Sequence, residues 1–287
     1  MIETISNHKS ILAEGPVWDA SRNAVLWVDI IQGAIYQYAE NKLKTYSIHE
    51  MVGCFAIDEN ENLIIAAKSG IAFLDRTTGE IIYQLNPESH LPNNRFNDGK
   101  CDPTGRFWFG SMSLSENFEV GNVYVFENQT IEKKIEKVTI SNGMAWSIDH
   151  KTLYYIDTPT FEVVAFDYEK STGNISNRKS VITIPKEEGY PDGMTIDNEG
   201  MLWIAHWDGW QVTRWNPQTG EKLHHFTLPA SKITSCTFGG EQLNDLYITS
   251  ASIGLSEKEL VEQPLAGSLF IIKNCGFTGL PTFKFKH

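Results

Sequence analysis

Short apolar segments separated by polar turns recur along the whole chain. Runs rich in Val, Ile, Tyr, Phe and Trp, such as AVLWVDI (24–30) and LYYIDT (153–158), alternate with turns that contain Gly, Asn, Asp and Pro. Amphipathic helical spacing is scarce, and SEKELVEQ (256–263) is the best helical segment. Short apolar runs bounded by turn residues are typical of β-strands. The pattern therefore predicts an all-β protein.

One phrase repeats six times within this pattern. It is a polar turn, often with Asp and Gly, followed by two large apolar residues that open a strand. The first large apolar residues are Leu26, Leu63, Phe107, Leu153, Leu202 and Leu246, spaced 37 to 49 residues apart. Repeats of this length, with about four short strands each, predict a six-bladed β-propeller that occupies residues 1–287 as one domain. An aperiodic sandwich is the alternative, but all six copies keep the same order of turn and strand.

Two parts of the repeat have structural interpretations. The segments Asp102–Trp108 and Asp197–Trp203 share the pattern Asp-x-x-Gly-x-x-Trp, which predicts a tight turn followed by a core aromatic residue. A closed ring also needs its first and last strands to meet. We expect the N-terminal IETIS (2–6) to complete the last blade beside SLFIIKN (268–274) and TFKFK (282–286).

Polar residues occur where the innermost strand of a blade begins, 9 to 12 residues before each marker. Four of these positions are an acid or an amide followed by Gly: Glu14-Gly15, Asp98-Gly99, Asn142-Gly143 and Asp192-Gly193. Each pair alone is consistent with a simple turn. Four in phase place carboxylates opposite one another across a narrow channel, which is unfavourable unless something neutralises them. The glycines are interpreted as allowing the backbones to crowd the axis.

A hard divalent cation would provide that neutralisation. Glu and Asp supply anionic oxygens and Asn a neutral one, with no His or Cys in phase. This set suits Ca²⁺, Mg²⁺ or Mn²⁺ better than a structural zinc, and its low ligand count leaves room for water or substrate. His206 and Trp207 end the second strand of their blade and become candidates for the rim, although packing explains them equally well. Arg95, near Asp98, is either a site residue or a surface ion-pair partner.

Composition narrows the functional classes. The chain has 24 basic and 36 acidic residues and a net charge of −12, which argues against binding to nucleic acid or anionic membranes. Cys54, Cys101, Cys236 and Cys275 are widely spaced, as expected for reduced thiols in a cytoplasmic protein. No signal peptide or long apolar segment is evident, and the GxSxG, HExxH, GxGxxG and P-loop motifs are absent.

Several segments resemble the gluconolactonase/regucalcin (senescence marker protein) family. They are AEGPVWD (13–19), RFNDGKCDPTGRFWFGSM (95–112), SNGMAWSIDHKTLYYIDT (141–158), YPDGMTIDNEGMLWIA (190–205), ISNRKS (175–180), TSCTFGG (234–240) and PLAGSLF (264–270). The resemblance implies a six-bladed propeller with one divalent metal in the central channel and the hydrolysis of lactones. It also implies Glu14, Asn142 and Asp192 as metal ligands, Asp192 as the catalytic acid/base, and Arg95 and Asn97 as substrate contacts.

One loop departs from the vertebrate regucalcins. Where they carry a substrate-contacting Glu, ungapped alignment places Ser115, with Glu116 and Glu119 nearby in SLSENFEVGN (113–122). This loop looks more like that of the bacterial sugar lactonases. The chain is therefore expected to hydrolyse a sugar aldonolactone of the gluconolactone or xylonolactone type, without an obligate protein partner.

Three points stay open at this stage. Ca²⁺ is the favoured metal, while Zn²⁺, Mg²⁺, Mn²⁺ and Fe²⁺ are also compatible with oxygen ligands. One alternative function is a metal-dependent esterase or phosphotriesterase acting on a non-sugar substrate. The other is a non-catalytic calcium-binding regulatory protein.

Overall fold

The computed structural model describes residues 1–287 and contains six four-stranded antiparallel sheets. Each of the first five sheets is formed by four consecutive strands, and the sixth combines the two ends of the chain. The predicted six-bladed β-propeller is confirmed.

The strands follow one another in chain order. They are β1 (Ile2–Thr4); in blade 1, β2 (Ala13–Asp19), β3 (Ala24–Asp29), β4 (Ala34–Ala39) and β5 (Lys42–Ser47); in blade 2, β6 (Val52–Ile57), β7 (Leu63–Ala67), β8 (Gly70–Leu74) and β9 (Ile81–Tyr83); in blade 3, β10 (Asn94–Cys101), β11 (Phe107–Ser113), β12 (Gly121–Glu127) and β13 (Thr130–Val138); in blade 4, β14 (Ser141–Trp146), β15 (Thr152–Asp157), β16 (Glu162–Glu169) and β17 (Asn174–Thr183); in blade 5, β18 (Tyr190–Ile196), β19 (Leu202–Trp207), β20 (Gln211–Trp215) and β21 (Lys222–Thr227); and in blade 6, β22 (Ile233–Gly239), β23 (Asp245–Ser250) and β24 (Phe270–Ile272).

Helical structure is limited to short segments. The predicted helix is present as α1 (Glu257–Glu262), and Ser256 and Glu259 form a capping box at its N-terminus. Single 3₁₀ turns occupy Thr158–Thr160 and Lys186–Glu188. None of these helices is long and apolar enough to span a membrane.

The ring is closed by the N-terminal strand. β1 pairs antiparallel with β24, opposite Ile272, Ile271 and Phe270, so that the sixth sheet has the order β1-β24-β23-β22. The expected pairing of IETIS with SLFIIKN is confirmed. The expectation for TFKFK is wrong, because Phe285 bridges to Asp58 in blade 2 instead of joining blade 6.

The Asp-x-x-Gly-x-x-Trp turns are buried polar anchors. The Asp197 carboxylate accepts hydrogen bonds from the amides of Glu199 and Met201, from Trp203 Nε1 and from Arg214 Nε. Trp203 is completely buried and stacks on Phe226. The interpretation of these aromatic residues as core packing is confirmed, and each Asp additionally satisfies the indole N–H.

Every inner strand has an irregularity at the position of the polar residue and its glycine. The pairing register shifts between Glu14 and Val17 in β2, for example, and between Pro191 and Met194 in β18. A side chain on Gly193 would lie 2.2 Å from Ser235 Oγ in the next inner strand. Bulges redirect side chains and glycine permits close approach of backbones, so this local geometry turns the polar residues toward the axis.

The C-terminal tail (275–287) crosses one face of the propeller. Its backbone hydrogen-bonds in turn to Asn244, to Asn198, to Ile57 and to Gly105, which belong to four different blades. Phe285 is 1% exposed and packs in the apolar core of blades 2 and 3. The tail therefore covers the channel on the face opposite the starts of the inner strands.

Candidate functional site

The polar positions of the inner strands meet inside the central channel. Glu14 begins β2, Asn97 and Asp98 lie in β10, Asn142 is in β14 and Asp192 is in β18. All five side chains are buried, with exposures of 3 to 7%. The propeller thus brings residues from four blades into one small volume.

The carboxyl groups destabilise one another's ionised forms. Burial raises the pKa of Glu14 well above its usual range, and the charges of Asp192 and Asp98 raise it further. Burial also raises the pKa of Asp192, again followed by the charge of Asp98. Burial lowers the pKa of Arg95 to about 10, while Glu14 and Asp192 oppose that shift. Because buried carboxyl groups outnumber the cations beside them, the cluster favours binding of an additional positive charge.

A chain of hydrogen bonds orients the amide groups of the site. Arg95 Nη1 donates to Asn97 Oδ1 at 2.6 Å, and Asn97 Nδ2 donates to Asn142 Oδ1 at 3.1 Å. Asn142 Nδ2 in turn donates to Thr158 Oγ1 at 2.8 Å, and this hydroxyl donates to the carbonyl of Pro191 at 2.8 Å. The amide of Asn142 is therefore held in one orientation, with its nitrogen toward Thr158 and its oxygen toward Asn97.

The chemistry of this donor set fits a hard divalent cation. Glu14 and Asp192 offer carboxylate oxygens that form no salt bridge, although Arg95 is near enough to interact with both charges, and Asn142 offers a neutral oxygen. No three His, Cys, Asp or Glu side chains lie close enough together to hold a metal by themselves. The amide of Asn142 is thus an essential part of any such set.

The candidate rim residues lie in different environments. Asp98 is buried and faces a cavity of about 80 Å³ below the other carboxyls, so it is not at the rim. Glu116 is exposed in the loop after β11, close enough to favour the charged form of Arg95. Trp207 is partly exposed, and Lys232 Nζ lies 4.7 Å from its ring centroid.

His206 is enclosed within blade 5. One ring nitrogen, Nε2, lies 2.6 Å from Thr213 Oγ1, and Nδ1 lies 3.0 Å from the carbonyl oxygen of Glu188. Burial lowers the pKa of His206 to about 4, so the ring is neutral at pH 7. With both nitrogens engaged, His206 supports the turn before Asp192 and has no nitrogen available for a ligand.

Comparison with known proteins gives this arrangement a family context. A family model described as the SMP-30/gluconolactonase/LRE-like region matches residues 12–252, which include all the polar channel positions. The chain belongs to the SMP-30/gluconolactonase/LRE-like family.

Individual relatives agree with this assignment. Regucalcin from Danio rerio is 38% identical over 291 residues, covering 99% of this chain and 98% of the relative. A solved calcium-binding protein, regucalcin from Agrobacterium tumefaciens, superposes with a TM-score of 0.94 at 24% identity, covering 99% and 97% of the two chains. A gluconolactonase from Xanthomonas campestris superposes with a TM-score of 0.76 at 20% identity, covering 94% and 88%.

Two residues of this family member were not singled out as site residues by the sequence. Thr158 links Asn142 to the strand that carries Asp192, and the only signal for it is its position just after a second strand. Lys100 lies in the channel below the carboxyls, where its amine donates to the carbonyl of Met194 at 2.8 Å. Lys100 and Asp98 are two residues apart in β10, and this spacing in a strand predicts that both side chains lie on the same side.

Proposed function

We propose that this protein is a divalent-metal-dependent lactonase that hydrolyses a sugar aldonolactone to the aldonic acid. The observation that carries the proposal is the buried set of Glu14, Asp192 and Asn142, with Arg95 and Asn97 beside it. The family membership and the gluconolactonase fold neighbour support the reaction class. Ca²⁺ is the favoured metal, because the Agrobacterium relative, regucalcin, is a calcium-binding protein.

Different residues of the site would bind the metal, transfer the proton and hold the substrate. A divalent cation held by Glu14, Asn142 and Asp192 would supply a Lewis acid that polarises the lactone carbonyl and acidifies water. Asp192 accepts a proton as water adds to the carbonyl carbon, and it returns that proton to the ring oxygen as the C–O bond breaks. Arg95 presents N–H donors to substrate oxygens and offsets the negative charge of the tetrahedral intermediate. Asn97, whose amide nitrogen already donates to Asn142 Oδ1 and to the carbonyl of Ser141, holds the Arg95 guanidinium through Oδ1 and offers that oxygen to a substrate hydroxyl.

The polar lining next to the carboxyls favours sugars over apolar esters. Arg95 and Asn97 are held by a hydrogen-bond chain, which preorganises them for hydroxyl or carbonyl oxygens. Glu116 provides a further acceptor at the mouth if its loop contacts the sugar. The protein would act without an obligate partner, and its four free cysteines are consistent with a cytoplasmic location.

The central test is the substitution Asp192→Asn. Because general acid–base catalysis contributes about 10²- to 10⁴-fold, we expect kcat on gluconolactone or xylonolactone to fall by at least about 100-fold in the presence of Ca²⁺. Asp208→Asn is the matched control, since this exposed carboxylate lies in the next turn on the same face and should be dispensable. Circular dichroism would establish that both variants are folded.

The same assay separates the alternative functions. Chelated wild-type protein is supplied with each metal in turn and tested on sugar lactones, an aryl ester and a phosphotriester. Turnover confined to the ester or phosphotriester would replace the lactonase proposal with the esterase alternative. Tight Ca²⁺ binding without turnover on any substrate would instead support a regulatory role.

A further inference from the structure

Lys100 is a partly buried cation that the proposed reaction does not use. It lies in β10 of blade 3, and its side chain reaches across the channel to blade 5, where Nζ donates to the carbonyl of Met194 at 2.8 Å. Its hydrogen bond therefore goes to a neutral carbonyl instead of a carboxylate. The side chain spans the channel on the side of Glu14, Asp98 and Asp192 that faces the C-terminal tail.

Lys100 is only partly exposed to solvent within the channel. It borders the cavity of about 80 Å³, which Asp98 and Cys236 also line and which Leu280 to Phe283 of the C-terminal tail close. Burial lowers the pKa of Lys100, while the titratable groups that face it, Asp98, Cys236 and Glu14, favour its charged form. Charges in such an environment interact more strongly than charges at the surface.

The channel thus holds carboxylates between two cations. Arg95 lies toward the open mouth and interacts with Glu14 and Asp192, whereas Lys100 lies on the closed side and favours ionisation of Asp98. These two partly buried cations offset two of the three carboxylates. The positive charge on the closed side reduces the repulsion among the carboxylates, and it also repels any cation that binds between them.

We propose that Lys100 is a resident counter-charge that stabilises the metal-free propeller and limits its affinity for a divalent cation. The inference rests on the proposed metal site of Glu14, Asn142 and Asp192. Lys100 would act as a positioning residue through Asp98, without itself contacting the cation. Its presence would make the site readily reversible instead of permanently loaded.

The test uses charge substitutions with opposite expected signs. Lys100→Gln keeps a hydrogen-bond donor for Met194 and removes the charge, so we expect Ca²⁺ and Mn²⁺ to bind about tenfold more tightly or more, as measured by titration calorimetry. Asp98→Asn should weaken binding by a similar factor. The double variant should bind within about threefold of wild type, because it restores the net charge of the channel.

Thermal unfolding supplies a second readout. By linkage, a tighter-binding variant gains more stability when metal is added, so Lys100→Gln should have a lower Tm than wild type after chelation and a larger rise in Tm with Ca²⁺. Lys100→Met tests the same charge effect without the hydrogen bond. Lys179→Met, on the exposed outer strand of blade 4, is the matched control and should change neither quantity.

The outcomes distinguish this inference from the function on which it rests. Unchanged or weaker metal binding in both Lys100→Gln and Lys100→Met, with lactone hydrolysis intact in wild type, would overturn the role of Lys100 alone. Absence of metal binding by the wild-type protein would overturn the proposed function itself. General structural damage would weaken binding in every variant, and it would not produce the opposite responses expected for Lys100 and Asp98.

Discussion

At the residue scale, the orientation of Asn142 depends on one hydroxyl. Thr158 Oγ1 accepts from Asn142 Nδ2 and donates to the carbonyl of Pro191, the residue before Asp192. It therefore links two of the proposed metal ligands without contacting the substrate. Groups that orient metal ligands typically affect metal affinity by about 10- to 100-fold.

We expect Thr158→Val to weaken Ca²⁺ binding by about tenfold, because the amide of Asn142 loses the acceptor that fixes its orientation. Thr158→Ser retains the hydroxyl and serves as the control. Titration calorimetry on both variants checks the prediction. If the valine variant binds metal as tightly as the serine variant, the orientation of Asn142 does not depend on Thr158.

A second residue-scale prediction concerns the acid sensitivity of stability. The pKa of His206 is lowered to about 4 in the folded protein by burial, whereas an unfolded histidine titrates near 6.5. Its contribution to stability is therefore fully present above pH 6.5 and decreases as the pH falls toward 4. The folded state binds fewer protons than the unfolded state in this range. The resulting loss in the free energy of unfolding is about 2 kcal/mol at pH 5.

His206→Gln should remove most of this dependence, since the amide can still bond to Thr213 and to the carbonyl of Glu188. We expect the free energy of unfolding of chelated wild-type protein to drop between pH 7 and 5 by about 2 kcal/mol more than that of the variant. Urea unfolding at the two pH values measures the difference. Equal drops in the two proteins would show that His206 does not titrate as expected.

At the element scale, the bulged inner strands and the C-terminal tail shape opposite ends of the channel. The bulges place polar residues at the open mouth, and the tail closes the other end of the channel. The tail is held by Phe285 in an apolar core and by a hydrogen bond of 2.9 Å between His287 Nε2 and Asp58 Oδ2. The apolar contact should dominate, because a single hydrogen bond to the exposed His287 contributes only about 1 kcal/mol.

Phe285→Ala should therefore lower the free energy of unfolding by about 3 to 4 kcal/mol, the usual cost of truncating a buried aromatic residue. Phe118→Ala is the matched control, because Phe118 is 76% exposed and its removal should cost less than about 0.5 kcal/mol. Urea unfolding of both variants provides the comparison. Similar losses in the two variants would mean that the tail contributes little to the stability of the ring.

At the scale of the whole molecule, the ring brings distant segments together. β1 completes blade 6, and the polar residues of the channel are contributed by strands that begin at residues 13, 94, 141 and 190. No local segment contains the site. The acidity of the chain matters to the proposed chemistry only where the ring concentrates it, at Glu14, Asp98 and Asp192.

The six repeats, the inner strands and the polar positions followed from the sequence, because strand alternation and turn residues are local properties. The family resemblance added the proposed roles of Glu14, Asn142 and Asp192. The sequence also predicted the N-terminal closure, since the last blade otherwise lacks a strand. It misplaced TFKFK, as apolar alternation does not reveal which surface a terminal strand covers.

Only the tertiary structure decided how those residues act on one another. Asp98 faces the closed side with Lys100, Thr158 joins Asn142 to blade 5, and His206 is enclosed instead of exposed at the rim. These relations depend on the curvature of the ring and on which side chains meet across it. The sequence by itself determined which residues line the channel; burial and cross-channel contacts, which arise only when the ring closes, decided their charge and orientation.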